Sequence, residues 1–169
     1  MAVNDDRTTD GTDLGPRLEK MAEVATDYCN LIERAAVNDP DWLQQMAAVL
    51  PRLHAAVAEL EPEKGDINHS MSPDLDARFE LFAHLREMLG NRDGYWMEFD
   101  VAQDEQGMSG SLADDLTDIY CELKHGLRLL EQEPQRAFED WRCGFQMHWG
   151  QHLVDAERHL YELKSRNQL

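Results

Sequence analysis

Basic residues are scarce in this chain: 16 Lys and Arg stand against 34 Asp and Glu, which gives a formal net charge of −18. The basic residues are scattered along the sequence and form no cluster. An acidic surface of this kind repels phosphate backbones, because like charges oppose the approach of a nucleic acid. The composition therefore argues against a nucleic-acid partner.

Long apolar runs are also missing from the sequence. No stretch approaches the roughly 18 apolar residues of a membrane-spanning helix, and the polar start MAVNDDRTTDGTDLG does not have the pattern of a secretory signal. The three cysteines, Cys29, Cys121 and Cys143, have no CxxC spacing. These features predict a protein without a membrane span, located in the cytoplasm, with reduced and mostly buried thiols.

Apolar residues recur instead at steps of three and four, as on the buried face of a helix. The clearest example lies between Ser109 and Leu130. Its apolar positions are Leu112, Leu116, Ile119, Leu123, Leu127 and Leu130. Similar stripes begin at Arg17, at Asp39-Pro40, at Ser72-Pro73 and at Glu133-Pro134, where Asp, Ser and Pro favour helix starts.

No strand-like alternation of useful length accompanies these helices. We therefore predict an all-α fold, a single-domain bundle of five to six mostly antiparallel helices over residues 17–169. Residues 1–16 lack periodicity and are predicted to form a disordered tail. Within the second helix, Pro51 predicts a kink or two short helices that meet at Leu50.

One irregular segment interrupts the helical pattern between Asn91 and Met108. It carries an apolar cluster among glycines and acids, which predicts a loop held to the body by its aromatic side chains. The alternative is a short strand, although no partner for it is evident in the sequence. We take Tyr95, Trp96 and Phe99 as a candidate surface for a protein partner.

Four segments of the chain resemble a bacterial family known as domain-of-unknown-function family 5063. They are DYCNLIE, YWMEFD, LADDLTDIYCELKHGL and FQMHWGQHLVDAERHL, so the likeness extends from about Leu18 onward. Val101 departs from the pattern, since a proline is expected after FD. The family has no assigned activity, and the resemblance therefore implies the fold and the extent of the domain only.

Two polar stripes carry the residues that bear on chemistry. Asp115, Asp118 and Glu122 flank the apolar face of the Ser109–Leu130 helix, at about 100° per residue. On the last helix, a second polar stripe lies on the corresponding side of the apolar face, with members at steps of four, three and four residues. Its members are His148, His152, Asp155 and His159. If the two helices are antiparallel neighbours, these flanks either face each other or both face away.

Facing flanks would create a candidate site for a divalent metal ion such as Zn, Mn or Fe. His148 and His152 would supply nitrogens, and carboxylates would supply oxygens. The oxygen ligands would be Asp118, Glu122 and Asp155, with Asp115 and His159 as secondary ligands. Such an ion could lower the pKa of a bound water. The alternative is a hydrogen-bonded polar network that needs no metal, and the pattern is neither HExxH nor the ExxH of di-iron bundles.

Three functional hypotheses follow from the sequence. A capped helical bundle without a recognised catalytic motif favours a protein-binding or regulatory module whose partner is another protein. The alternative is a metal-dependent enzyme, for example a hydrolase of a phosphorylated small molecule, that uses the histidine-carboxylate stripes. A third hypothesis is a stacking pocket for an aromatic small molecule under Trp96 and Trp149.

Overall fold

The structure, a computed structural model, describes residues 14–36, 39–60, 71, 74–98 and 107–169. Within these ranges the chain forms six α-helices and one two-stranded antiparallel sheet. The helices are α1 (Leu14–Glu33), α2 (Trp42–Ala58), α3 (Leu75–Leu89), α4 (Leu112–Leu130), α5 (Pro134–Gly144) and α6 (Gly150–Ser165). The strands are β1 (Gly94–Glu98) and β2 (Gly107–Ser111). The predicted all-α bundle is confirmed, with a small hairpin added to it.

Helix α4 is the central element of the bundle and contacts α1, α3, α5 and α6. Its stripe of Leu112, Leu116, Ile119 and Leu123 is completely buried, as the three- and four-residue steps predict. Burial of each such side chain contributes about 1.5–3 kcal/mol. Tyr28 of α1 also reaches this helix and donates its hydroxyl to the carbonyl oxygen of Leu116 at 2.8 Å.

Helices α1, α2 and α3 differ from the prediction in where they start or in whether they are continuous. Helix α1 begins at Leu14, whereas most of the predicted tail, residues 1–13, lies outside the described residues. The N-cap of α3 is Asp74, whose carboxylate accepts the amides of Asp76 and Ala77 at 3.1 and 3.2 Å, rather than Ser72. Helix α2 runs unbroken through Pro51, so the alternative of two short helices is wrong.

The irregular segment predicted between Asn91 and Met108 contains a strand, β1, that does have a partner. Tyr95 of β1 lies opposite Gly110 of β2, and Trp96 lies opposite Ser109. A Cβ atom at Gly110 would lie 2.3 Å from the ring of Tyr95, so only glycine leaves room for this ring. The strand GMSGS escaped sequence analysis because it contains glycine and serine instead of the β-branched and aromatic residues that mark strands.

The last predicted helix is also more complex than a single α-helix. A π-helical turn, Phe145–Trp149, joins α5 to α6 without a break. The amide of Gly150 closes this wide turn by donating to the carbonyl oxygen of Phe145. Turns of this kind occur frequently at functional sites. This one carries His148 just before α6.

No helix in the described part of the chain is both long and apolar enough to cross a membrane.

Candidate metal centre between helices α4 and α6

The acidic flank of α4 faces the histidines of the π turn and α6. Nδ1 of His148 lies 2.8 Å from Oε1 of Glu122, and Nδ1 of His152 lies 2.8 Å from Oδ1 of Asp115. Residue numbers rise along α6 while those of their partners fall along α4, so the two helices run antiparallel. The two polar stripes therefore meet in one cluster.

Each imidazole in this cluster is oriented by its own buried carboxylate. The side chains of Glu122 and Asp115 are only 1% and 7% exposed, whereas those of His148 and His152 are 43% and 23% exposed. Since a carboxylate accepts hydrogen bonds and does not donate them, Nδ1 carries the proton in both pairs. Nε2 is then the nitrogen of each ring that remains for a ligand.

Asp118 is the third member of the cluster and lies between the imidazoles and Arg78 of α3. Its Oδ2 is 3.3 Å from Nε2 of His152, and its Oδ1 accepts a hydrogen bond of 2.7 Å from Nε of Arg78. One possible ligand atom from each of Asp118, His148 and His152 lies within 4.8 Å of the other two. Two nitrogens and one carboxylate oxygen at this separation are a ligand set suited to a transition-metal ion.

The pKa values of His152 and Asp115 are both raised. Burial by itself would lower the pKa of His152, but the hydrogen bond to Asp115 and the nearby charge of Asp118 outweigh it, so the pKa is raised. Burial also raises the pKa of Asp115, although its hydrogen bonds with His152 and Tyr95 oppose this effect. A metal ion at Nε2 of His152 would compete with the second proton of the ring, and the raised pKa strengthens this competition as the pH falls.

The other predicted ligands surround the cluster without belonging to the converging group. Asp155 accepts a hydrogen bond of 3.0 Å from the side chain of Gln151. His159 lies under the hairpin, where its Nε2 donates to the carbonyl oxygen of Arg92 at 2.7 Å. Its ring centroid is 4.7 Å from that of Tyr95. Glu122 and Asp115, which were predicted as ligands, instead bond the Nδ1 atoms.

The predicted partner surface and the predicted stacking pocket both need correction. Tyr95 is buried, with 6% exposure, because its ring turns inward; Trp96 points outward and is 74% exposed. Phe99 lies outside the described residues. Trp149 is completely buried in the core, so it shares no pocket with the exposed Trp96.

A groove that the sequence did not predict leads away from the cluster along the hairpin. The groove is open and has a volume of about 560 Å³. His152 and Asp155 line it at the cluster, and Tyr95 and Met97 line it at the hairpin. The sequence did not predict the role of Arg78 either, because nothing in the apolar spacing of α3 indicates that this side chain contacts α4.

Comparison with known proteins gives a family and a structural relative. The family described as "Domain of unknown function (DUF5063)" matches residues 12–166. The crystal structure of protein BF1032 from Bacteroides fragilis is similar, with a TM-score of 0.68 and 20% sequence identity over 90% of this chain and 94% of that chain. At this identity the likeness concerns the fold. No curated protein matches the sequence.

Proposed function

The chain belongs to the family DUF5063, as its sequence motifs indicated, and from its site we propose that it is a metal-dependent enzyme. One divalent transition-metal ion binds to Asp118, His148 and His152. The observation that carries this proposal is that one possible ligand atom from each of these three residues lies within 4.8 Å of the other two, while a separate buried carboxylate, Glu122 or Asp115, holds each imidazole at Nδ1. Metal-binding histidines commonly have such carboxylate partners.

A polar network that only stabilises the fold would be expected to bury its members. The side chain of His148 is instead 43% exposed, although the Glu122 carboxylate that orients it is almost completely buried. This difference in exposure suits a metal ligand, because a buried carboxylate fixes one side of the ring while solvent or an ion can reach the other side. It is the reason why we prefer a metal centre to a structural network.

Zn, Mn and Fe are the ions that fit two imidazoles and one carboxylate. Three protein ligands leave coordination positions open for water or substrate, which is typical of catalytic rather than structural sites. The ion would lower the pKa of a coordinated water and make it a nucleophile, so we assign the enzyme to the hydrolases.

The groove beside His152 is the proposed substrate site. Its volume of about 560 Å³ suits a small molecule. Among the described residues, Asp93, Asp114, Asp115 and Asp155 line it together with one arginine, Arg86. This excess of negative charge disfavours the phosphorylated substrate that the sequence suggested, and it favours a neutral or positively charged one.

The metal content of the purified protein tests the proposal. We expect protein purified without added metal, or reloaded with Zn²⁺, Mn²⁺ or Fe²⁺ after chelation, to retain stoichiometric metal after desalting. The double variant His148→Ala, His152→Ala should lose it. His54→Ala is the matched control, because Nδ1 of His54 contacts Glu157 at 2.8 Å in a similar pair that belongs to no three-residue cluster among the described residues.

Two results would count against this function. Wild-type protein that retains none of the three ions would contradict the metal centre itself. Stoichiometric binding without hydrolysis of any neutral or cationic ester or amide in a substrate panel would contradict the enzymatic part and leave a metal-binding protein.

A protein-binding module is the second candidate function, and the exposed hairpin favours it. Trp96 of β1 is 74% exposed and Met108 of β2 is 51% exposed. Tryptophan and methionine are enriched at protein interfaces. Crosslinking from this hairpin should capture a partner that Trp96→Ala loses and Tyr161→Ala keeps, since Tyr161 is equally exposed on α6. Capture that is unaffected by Trp96→Ala would contradict this surface.

A further inference from the structure

A chain of hydrogen bonds connects the β1–β2 hairpin to the proposed metal centre. The hydroxyl of Tyr95 donates to Oδ2 of Asp115, and Oδ1 of the same carboxylate accepts from Nδ1 of His152 at 2.8 Å. On the far side of the ring, Nε2 of His152 lies 3.3 Å from Asp118. Tyr95 thus lies two hydrogen bonds away from a proposed metal ligand.

The ring of Tyr95 is held in place from several sides. It stacks on His159, with 4.7 Å between the ring centroids, and the guanidinium carbon of Arg158 lies 5.3 Å from its centroid. Gly110 supplies the space that the ring occupies. His159 is itself fixed by its bond to the carbonyl oxygen of Arg92. The hydroxyl therefore has one well-defined direction, toward Asp115.

We propose that Tyr95 is a positioning residue that sets the metal affinity of this centre, an inference that rests on the proposed function. Its hydroxyl fixes the Asp115 carboxylate so that Oδ1 faces Nδ1 of His152. This contact keeps the proton of the neutral ring on Nδ1 and leaves Nε2 free to bind the ion. Without the hydroxyl, Oδ2 of a buried carboxylate loses its donor, and the carboxylate can rotate away from the imidazole.

The variant Tyr95→Phe tests this role because it keeps the ring and removes only the hydroxyl. We expect the affinity for Zn²⁺, measured by competition with a chromophoric chelator, to fall about 10- to 100-fold, as is typical when a partner of a metal-binding histidine is removed. The matched control is Tyr120→Phe. Tyr120 of α4 likewise donates its hydroxyl to a carboxylate, that of Glu33 at 2.9 Å, and the loss of this hydroxyl should leave the Zn²⁺ affinity unchanged.

A second measurement uses metal-free protein and reports a change that a merely structural tyrosine would not cause. The ¹⁵N shifts of the His152 ring should show the Nδ1–H tautomer in the neutral ring of the wild type, and a mixture of tautomers in Tyr95→Phe. Unchanged Zn²⁺ affinity and unchanged ring shifts in Tyr95→Phe would overturn the positioning role alone. Wild-type protein that binds no Zn²⁺, Mn²⁺ or Fe²⁺ would overturn the proposed function and this inference together.

Discussion

At the scale of single residues, the carboxylate of Asp118 contacts two groups, the guanidinium of Arg78 and the imidazole of His152. Arg78 donates to Asp118 at 2.7 Å and to Asp114 at 2.9 Å, and it brings positive charge from α3 to the acidic flank of α4. These contacts raise the pKa of Arg78, chiefly through the hydrogen bond to Asp118. The arginine thus holds Oδ1 of Asp118 while Oδ2 faces His152.

We expect Arg78→Ala to lower the free energy of unfolding of the metal-free protein by about 1–3 kcal/mol, because a largely buried carboxylate loses its charged donor. Urea denaturation in the presence of a chelator measures this change. The control is Arg52→Ala, which breaks a half-exposed pair with Asp27 and should cost about 0–1 kcal/mol. Equal losses in the two variants would show that Arg78 has no special role.

Cys29 provides a prediction about pH at a single buried thiol. Burial raises its pKa to about 12, although the charge of Lys124 opposes this effect. Near pH 8 only about one molecule in ten thousand then carries the reactive thiolate. We expect alkylation of Cys29 by iodoacetamide, followed by mass spectrometry, to stay slow between about pH 7 and about pH 9. Rapid labelling in urea is the control, and rapid labelling of the folded protein would contradict the burial.

At the scale of elements, α4 and α5 approach each other where Gly126 faces an indole. A Cβ atom at Gly126 would lie 2.0 Å from Nε1 of Trp141, a side chain that is fully buried. Since the rigid ring has no space to move, we expect Gly126→Ala to destabilise the fold by about 1–3 kcal/mol in chemical denaturation.

Gly94→Ala is the control for this close approach, because nothing lies within 4 Å of a Cβ atom at that position. It should leave stability nearly unchanged. Alanine has a helix propensity about 1 kcal/mol better than glycine, so a loose contact between the helices would make Gly126→Ala more stable than the wild type. That outcome would contradict the close packing of α4 on α5.

The π turn shows how far the element pattern could be predicted from sequence. Buried Trp141, Trp149 and Leu153, together with Phe145 between them, follow one another at steps of four. In an ideal α-helix, two residues four positions apart differ by about 40° around the helix axis, so three such steps would move the side chains away from one common face. A wide turn absorbs this drift. The sequence predicted one continuous helix because steps of three and four residues are each compatible with an α-helix.

The candidate site was predictable only where helical spacing encodes it. Asp118 lies on the same side of the apolar stripe of its helix as His148 and His152 do on theirs. The sequence therefore indicated that the three residues could meet, since the position of a residue around a helix depends only on the helical period and the chain direction. Arg78 and Tyr95 could not be found in this way, because their contacts join α4 to α3 and to a hairpin. That hairpin depends on Gly110, whose role appears only when its neighbour across the sheet is known.

At the scale of the whole molecule, the net charge of −18 makes the chain repel itself. Raising KCl from about 0.01 M to about 1 M shortens the Debye length from about 30 Å to about 3 Å. We therefore expect the melting temperature of the metal-free protein to rise with KCl, and to rise equally in the variant His148→Ala, His152→Ala. A fall in melting temperature would mean that favourable ion pairs outweigh the repulsion.

The salt response also separates general screening from binding at the centre. A monovalent salt acts on the entire surface, whereas a bound transition metal stabilises through one site and needs both histidines. Stabilisation by Zn²⁺ that persists at high KCl and vanishes in the double variant would thus belong to the cluster between α4 and α6.

Anomalous diffraction from crystals loaded with Zn²⁺ would show whether a metal ion binds between α4 and α6. We expect one anomalous peak there, at about 2.0–2.1 Å from a nitrogen of His148 and of His152 and about 2.0–2.2 Å from a carboxylate oxygen of Asp118. A map with no peak there, or with zinc bound only at surface carboxylates elsewhere, would contradict the proposed metal centre.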